Sequence, residues 1–284
     1  MLDALSAPIR LGTCAFTANG WVGSFYPRGL RQEHFLEHYA EEFDTVELDV
    51  TWYRVPTVRM IEAWYQRTPK HFVFAAKIPQ TITHDKVLVD CQDETREFIA
   101  SIEGLREKLG PLLLQFPYFN IHQIADLDEF LKLLDPYLAK LPKSLKFAVE
   151  VRNKDWVGSK LLDVLRLHNV AFSLTDHAWM HRPEVVVGQI NPVTADFTYI
   201  RWLGDSHVIE EMTKAWDKVI VDRTRELGDW ADICQEFRKR GVDVYGYVNN
   251  HYAGHSPASI RSLLDLVDPS LRRHREKPRT LFEM

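Results

Sequence analysis

Eight short apolar segments recur along this sequence, and they constrain its fold more than any other feature. Continuous apolar runs are typical of strands that are buried on both faces, as in a parallel sheet, whereas strands with one solvated face alternate. Each interval between the segments is long enough for a crossover connection. The predicted strands are residues 9–14, 44–49, 72–77, 112–115, 146–151, 171–175, 197–202 and 244–249.

The intervals carry helical periodicity. In one interval Phe98, Ile102, Leu105 and Leu109 recur at steps of three and four residues, which predicts one apolar helix face. Similar stripes occur within residues 35–43, 127–138, 161–168 and 230–237. The alternation predicts an α/β protein, a (β/α)8 TIM barrel of parallel strands surrounded by helices. An open doubly wound sheet is the alternative, but the sequence lacks a glycine-rich nucleotide fingerprint and a phosphate loop.

Length and composition indicate one ordinary globular domain. The 284 residues suit a single barrel, and we expect one domain over residues 1–284 with a short basic tail at about 272–284. Hydrophobic residues make up 45% of the chain, enough for a large core. The formal net charge of −5 provides no general attraction to nucleic acid or to anionic lipid.

The sequence shows no targeting signal in residues 1–10 and no apolar run of about 18 residues, the length that a membrane helix needs. Cys14, Cys91 and Cys234 lie far apart, without the paired spacing of a zinc or redox site. We therefore expect a cytoplasmic protein with reduced thiols and no membrane contact. The sequence does not indicate an oligomeric state.

Polar and charged residues stand at the carboxyl ends of the predicted strands. Barrel enzymes build their sites there, so these side chains should converge on one rim. A structural belt of salt bridges would use the same residue types, but a site for a polar ligand is the interpretation that we favour. The predicted rim residues are Cys14, Glu47, Lys77, Gln115, Glu150, Arg152, Asp176, Arg201, Asn249 and Asn250.

Histidines in predicted loops are further candidates. His84 precedes Asp85 just beyond the third strand, an arrangement that suits acid–base catalysis, although an ordinary surface histidine would look the same. Two histidine pairs, 177/181 and 251/255, have a spacing that would suit a metal on a helix. Turn residues near both pairs indicate loops instead, so we predict no metal ligands.

Two other segments need an interpretation. Aromatic residues that include Trp21 and Tyr53 cluster around the first two predicted loops, where they either pack the barrel mouth or stack on a sugar or base. Residues 202–229 are polar with a weak helical stripe, which predicts a lid or an addition to the top of the barrel.

Several motifs together resemble the YecE-like family, domain of unknown function 72, a group of (β/α)8 barrels without an established reaction. The matching motifs are WVGSFYP at 21–27, TVELDVTWY at 45–53, residues 74–77 with Thr83-His84, GPLLLQFP at 110–117, VEVR at 149–152 with Trp156, YIRWLG at 199–204 and YVNNHYAG at 247–254. The resemblance implies the barrel fold. It also implies that recurrent polar positions of the family are Glu47, Tyr53, Lys77, His84, Gln115, Glu150, Arg152, Arg201 and Asn250.

These residues predict an enzyme that acts on a polar or phosphorylated small molecule without a redox cofactor. Arg152 and Arg201 would bind a phosphate or carboxylate, since a guanidinium group can bind either with two hydrogen bonds. Glu47 and Glu150 would be the general acid and base, and Lys77 would polarise an oxygen or keep one carboxylate ionised.

Hydrolysis is the preferred reaction class, and lyase chemistry comes next. A Schiff base at Lys77 is disfavoured, because nearby carboxylates would raise the pKa of the amine. One alternative is a metal-dependent barrel that processes or binds nucleic acid, in which Glu47, Glu150 and Asp176 would hold divalent ions. The other is a ligand-binding protein that catalyses no reaction.

Overall fold

The computed structural model describes residues 7–271, and within them eight strands pair in parallel in the order β1-β8-β7-β6-β5-β4-β3-β2. Strands β1 and β2 are neighbours, so the sheet curls into a barrel. The strands are β1 Ile9–Thr13, β2 Thr45–Leu48, β3 Val73–Lys77, β4 Leu109–Gln115, β5 Phe147–Glu150, β6 Ala171–His177, β7 Phe197–Gly204 and β8 Asp243–Val248. The predicted (β/α)8 TIM barrel is confirmed.

Helices follow every strand and cover the outside of the barrel. They are α1 Phe35–Glu42, α2 Val58–Gln66, α3 Gln92–Ile102, α4 Leu127–Lys140, α5 Ser159–Leu167, α6 Pro183–Gln189, α7 Ser206–Met212, α8 Thr224–Lys239 and α9 Ser256–Val267. Both α7 and α8 follow β7, so this connection contains one helix more than the others. Among the described residues, no helix has the length and apolar character needed to cross a membrane.

The interior of the barrel is filled unequally by its strands. Strands β3 to β6 contribute small or aliphatic side chains, whereas β7 and β8 contribute large aromatic ones. The buried interior residues are Ala75, Leu113, Ala148, Ala171, Phe197, Tyr199, Tyr245 and Tyr247. Alternate residues of the same strands point outward and pack under the helices, which is why the strands read as continuous apolar runs.

A tyrosine hydroxyl joins the two strands at the seam of the barrel. The hydroxyl of Tyr39, a fully buried residue of α1, accepts a hydrogen bond from the Thr13 amide at 2.9 Å and donates to the Thr45 carbonyl at 3.1 Å. Gly12 permits this approach, because a Cβ atom there would lie 2.1 Å from the Thr45 carbonyl oxygen. The seam therefore depends on a side chain of the first helix.

The connection between β7 and α8 contacts the loops that follow β1 and β8. The amide of Trp216 donates to the Asn19 carbonyl at 3.1 Å, and that of Ile220 donates to the Ala253 carbonyl at 2.8 Å. The predicted addition over residues 202–229 thus comprises the end of β7, helix α7, this packed connection and the start of α8. The basic tail predicted for residues 272–284 lies outside the described residues.

Candidate functional site

A buried arginine links two glutamates at the carboxyl ends of three strands. Arg201 of β7 donates to Glu47 of β2 at 2.8 Å and to Glu150 of β5 at 2.9 Å. Both glutamates are fully buried, and Arg201 is 3% exposed. Tyr199, two residues before Arg201 and on the same face of β7, donates its hydroxyl proton to the second oxygen of Glu47 at 2.6 Å.

A second arginine connects this cluster to the open mouth of the barrel. Nε of Arg152 donates to Oε1 of Glu150 at 2.6 Å, and the Arg152 side chain is 21% exposed. Burial raises the pKa of Glu150, but the charges of Arg152 and Arg201 outweigh burial and hold that pKa at about 2. Burial would also lower the pKa of Arg201, whereas Glu47 and Glu150 raise it well above its usual value. Glu150 and Arg201 therefore remain ionised near neutral pH.

The hydrogen bonds of the two glutamates favour a positioning role over the acid–base role predicted from the sequence. Each of their carboxylate oxygens accepts a hydrogen bond from an arginine or from Tyr199. A general acid or base must instead reach the substrate. Both Nη atoms of Arg201 are likewise engaged inside the barrel. The predicted anion-binding role is better suited to Arg152 than to Arg201.

Lys77, the last residue of β3, lies beside this cluster with its side chain 10% exposed. Its ammonium group is 3.5 Å from Asp49 and 4.6 Å from the centre of the Trp52 ring. Burial lowers the pKa of Lys77, although Asp49, Glu150 and Glu47 oppose that shift. The carboxylates act on this pKa in the direction expected from the sequence, but burial has the larger effect and the net shift is downward.

His84 lies in a single helical turn, Thr81–Asp85, against the edge of the Trp52 ring at 5.1 Å. Its Nδ1 atom is 2.8 Å from the Thr83 hydroxyl, so Thr83, and not the adjacent aspartate, is its hydrogen-bond partner. Burial and the charge of Lys77 lower the pKa of His84 to about 4. The imidazole is therefore neutral near pH 7.

His177 was not among the predicted site residues, but it lies at the carboxyl end of β6 near Arg152. Burial and the charge of Arg152 lower the pKa of His177 to about 4. Asp176, which was predicted for this place, points to the outer side of β6, where it accepts a hydrogen bond from Trp230 at 2.8 Å. Alternation along β6 could have identified His177, since the alternate positions 173, 175 and 177 share the interior face of the strand.

The structure places three other predicted ligand-binding residues in different surroundings. Trp21 is 1% exposed and packs against Phe25 at 5.5 Å, so its ring is not available for stacking. Asn250 accepts hydrogen bonds from Trp21 at 3.3 Å and from the Ser256 amide at 3.0 Å, which ties the first loop to α9. Asn249 caps the short turn after β8 by accepting from the amide of residue 251 at 3.0 Å.

Gln115 and Tyr53 border the cluster at different depths. Gln115 is 7% exposed and stands beside Glu150 in the register of β4 and β5, where it donates to the Phe116 carbonyl at 2.5 Å. Tyr53 is 66% exposed and contacts the Trp52 ring edge to face at 4.8 Å. Gln115 therefore belongs to the buried layer, and Tyr53 to the outer edge of the mouth.

A groove of about 680 Å³ adjoins Arg152 on the side of β5 and β6. The aromatic residues Tyr118 and Trp179 line it and are 64% and 65% exposed. Lys154 and His181 line it as well. The groove could therefore accommodate a molecule that has both a planar or apolar part and a negative charge.

Within residues 7–271, no group of three or more histidine, cysteine, aspartate or glutamate side chains is arranged to hold a metal ion. Glu47 and Glu150, which the nucleic-acid alternative assigns to divalent ions, are bound to arginines. All three cysteines are free and buried. Burial raises the pKa of Cys14 well above its usual value, which does not favour a nucleophilic thiolate there.

Together these features define a class: a TIM-barrel protein with a charged, partly buried site at the carboxyl ends of its strands, where barrel enzymes bind substrates. Comparison with protein families identifies it further. The sequence model of the family described as "Protein of unknown function DUF72" matches residues 10–281, and the chain belongs to this family.

Its relatives include two bacterial proteins that carry uncharacterised-family names. The chain is 33% identical to UPF0759 protein YecE of Escherichia coli strain K12 over 119 residues, which are 42% of this chain and 41% of YecE. It is 24% identical to UPF0759 protein YunF of Bacillus subtilis over 272 residues, which are 88% of this chain and 93% of YunF.

Solved structures of the family share the fold. A DUF72 family protein of Thermotoga maritima superposes with a TM-score of 0.72 at 25% identity, covering 92% of this chain and 99% of that one. A DUF72 family protein of Enterococcus faecalis gives a TM-score of 0.64 at 19% identity over 92% of this chain and 98% of its own. At that identity the second likeness concerns the fold alone.

Proposed function

We propose that this protein is an enzyme that binds a polar, anionic small molecule at the mouth of its barrel. Arg152 carries the proposal. Its Nε atom is fixed by Glu150 at 2.6 Å, and its side chain is 21% exposed beside the groove. A guanidinium group held on one side by a buried carboxylate is oriented for a ligand carboxylate or phosphate on its open side.

The groups around Arg152 supply proton-transfer chemistry in this proposal. His84 and His177 both have a pKa of about 4, so each is a neutral, weakly basic imidazole near pH 7 that can donate or accept a hydrogen bond beside the substrate. Lys77 supplies an amine at the same mouth. The buried Glu47–Arg201–Glu150 cluster fixes the positions of Arg152 and Tyr199, which donate hydrogen bonds to Glu150 and Glu47. These groups suit lyase chemistry at least as well as the hydrolysis predicted from a pair of carboxylates.

A thermal-shift screen tests the anion site. Wild-type protein is heated with inorganic phosphate, citrate, sugar phosphates, nucleotides and the corresponding uncharged sugars, each with and without Mg²⁺ and Mn²⁺. A ligand at a hundredfold excess over its Kd should stabilise the fold by about 2.7 kcal/mol. Arg152→Gln should weaken the binding of a stabilising anion by about tenfold or more, because a charge-assisted hydrogen bond is lost.

Arg261→Gln is the matched control. Arg261 is 29% exposed and pairs with Glu42 on the outer wall, where its Nη2 donates at 2.8 Å. This variant should bind the anion as the wild type does. Equal anion binding by the wild type and Arg152→Gln would overturn the proposed site. Mass spectrometry of a bound metabolite after long incubation then separates turnover from binding without reaction.

A further inference from the structure

Lys77 differs from other lysines of the chain in what surrounds its amine. The whole residue is 8% exposed, and it is the last residue of β3, at the mouth of the barrel. Among the described residues, its Nζ has one ion-pair partner, Asp49 at 3.5 Å, and it lies over the Trp52 ring at 4.6 Å. Neither contact is a short hydrogen bond that would hold a proton on the nitrogen.

We propose that Lys77 forms an imine with the carbonyl carbon of an anionic aldehyde or ketone substrate, whose negative group binds to Arg152. This inference deepens the proposed function and rests on it for the anion site. It also reverses the sequence-based argument against a Schiff base. Burial lowers the pKa of Lys77 despite three nearby carboxylates, which increases the fraction of neutral, nucleophilic amine.

The neighbouring groups account for each proton in the reaction. The lone pair of Nζ attacks the carbonyl carbon, a C–N bond forms, and the carbonyl π electrons move to oxygen. Asp49 lies 3.5 Å from Nζ, where its carboxylate can take a proton from nitrogen and deliver it to that oxygen. After a second such transfer the oxygen leaves as water. The net reaction converts the amine and the carbonyl compound into an imine and one water.

Trp52 contributes to the same step. The neutral imine can take a proton from water, and the resulting iminium ion carries a positive charge at Nζ, which lies 4.6 Å from the centre of the ring. A cation over the face of a tryptophan ring is stabilised by the electrostatic field of that ring. The site can therefore stabilise the cationic intermediate without moving the side chain.

Lys108 is an internal comparison, because it is also buried and its pKa is also lowered by burial. Its ammonium group, however, donates to the carbonyl of Tyr65, to the carbonyl of Thr68 at 2.7 Å and to the Thr68 hydroxyl at 3.2 Å. Lys108 precedes β4, so it lies at the opposite end of the barrel from Lys77. Its three hydrogen bonds make it a structural cation and a control for burial alone.

Reductive trapping tests the proposal. The full chain is incubated near neutral pH with acetaldehyde, or with glyoxylate as its anionic counterpart, and is then treated with sodium borohydride. Peptide mass spectrometry gives the rate of labelling at each lysine. Lys77 should react about tenfold faster than exposed Lys214, because burial leaves a larger fraction of the Lys77 amine neutral. Lys108 should remain unlabelled while the protein is folded.

The two aldehydes separate the two proposals. Glyoxylate should label Lys77 in preference to acetaldehyde, and Arg152→Gln should abolish that preference. If acetaldehyde labels Lys77 rapidly but glyoxylate has no advantage, the imine inference stands and the anion site fails. If neither aldehyde labels Lys77 faster than Lys214, the inference is overturned, whatever the anion-binding result. Lys77→Arg, which keeps the charge, confirms the peptide assignment by losing the label.

Discussion

Arg201 supplies a buried counter-charge to two carboxylates, one of which, Glu150, also pairs with Arg152. Its two hydrogen bonds, at 2.8 and 2.9 Å, join Glu47 and Glu150 across the barrel. Moving a charge out of water costs several kcal/mol, and a buried partner offsets that cost only when the geometry is good. The cluster therefore fixes the positions of the side chains that contact it. Arg152 and Tyr199, which bind the same two glutamates, take their orientation from it.

Removing Arg201 should be far more damaging than removing Arg152. Arg201→Met leaves Glu47 and Glu150 buried with fewer donors, so we expect the free energy of unfolding to fall by about 3–5 kcal/mol. Arg152→Met should have a smaller effect, because that side chain is 21% exposed and Glu150 keeps its bond to Arg201. Urea unfolding of both variants, followed by circular dichroism, measures the difference. Equal losses would mean that the buried pairings are not what stabilises this end of the barrel.

The sequence predicted which residues come together more reliably than which way each side chain points. Glu47, Glu150 and Arg201 lie towards the carboxyl ends of three strands, and any closed barrel brings such residues to one rim. Their pairing depends on side-chain length and angle, which apolar periodicity does not encode. Asp176 and His177 show the limit most clearly. The final residues of β6 extend past the predicted strand end, and a shift of one residue decides which of the two faces the interior.

The structural elements were predicted well where apolar runs are continuous and less well where a helix passes directly into a strand. Ile102 and Leu105 are both fully buried, which explains the apparent stripe that continues to Leu109. The helix nevertheless ends at Ile102, and Arg106 has a φ of 53°, so the chain turns before β4. Apolar periodicity indicates which residues are buried. A packed turn can bury the same positions as another turn of helix would.

The seam between β1 and β2 is held by hydrogen bonds of one hydroxyl group, that of Tyr39. Tyr39→Phe removes the acceptor of the Thr13 amide and the donor to the Thr45 carbonyl, and both are buried. Because unpaired buried polar groups are costly, we expect a loss of about 1–3 kcal/mol in the free energy of unfolding. Hydrogen exchange should increase at the Thr13 amide in particular.

Tyr137→Phe is a suitable control for the seam. The Tyr137 hydroxyl contacts the Thr95 hydroxyl at 3.0 Å between two outer helices and has no role in strand pairing. This variant should leave exchange at the Thr13 amide unchanged. If Tyr39→Phe also leaves exchange and stability unchanged, the hydroxyl does not hold the seam.

At the scale of the whole molecule, closing the barrel places the loops after β1 and β8 next to each other, and His255 joins them. Its Nδ1 accepts a hydrogen bond from the Ala258 amide at 3.1 Å and so caps α9, while Nε2 lies 3.2 Å from the Ser24 hydroxyl. Burial and the charge of Arg261 lower the pKa of His255 to about 4, although Asp217 opposes the shift. The cap therefore requires a neutral imidazole.

Acid should weaken this connection well before it protonates Glu150. The pKa of His255 is about 4 in the folded protein and 6.5 as the ordinary value, so the unfolded chain binds the proton more readily. The stability that depends on neutral His255 is therefore complete above pH 6.5 and is lost as the pH falls towards about 4. His84 and His177 add losses of the same sign over the same range. Glu150, with a pKa of about 2, contributes only at lower pH.

His255→Asn should make the stability less dependent on pH. Asparagine is a good N-cap residue and does not titrate, so the variant keeps an acceptor for the α9 amides while losing the protonation step. Urea unfolding at intervals from pH 8 to pH 4 should give a shallower decline for this variant than for the wild type. His122→Asn, at an exposed position, should follow the wild-type curve. A decline in His255→Asn as steep as that of the wild type would show that the loss of stability in acid arises at other groups.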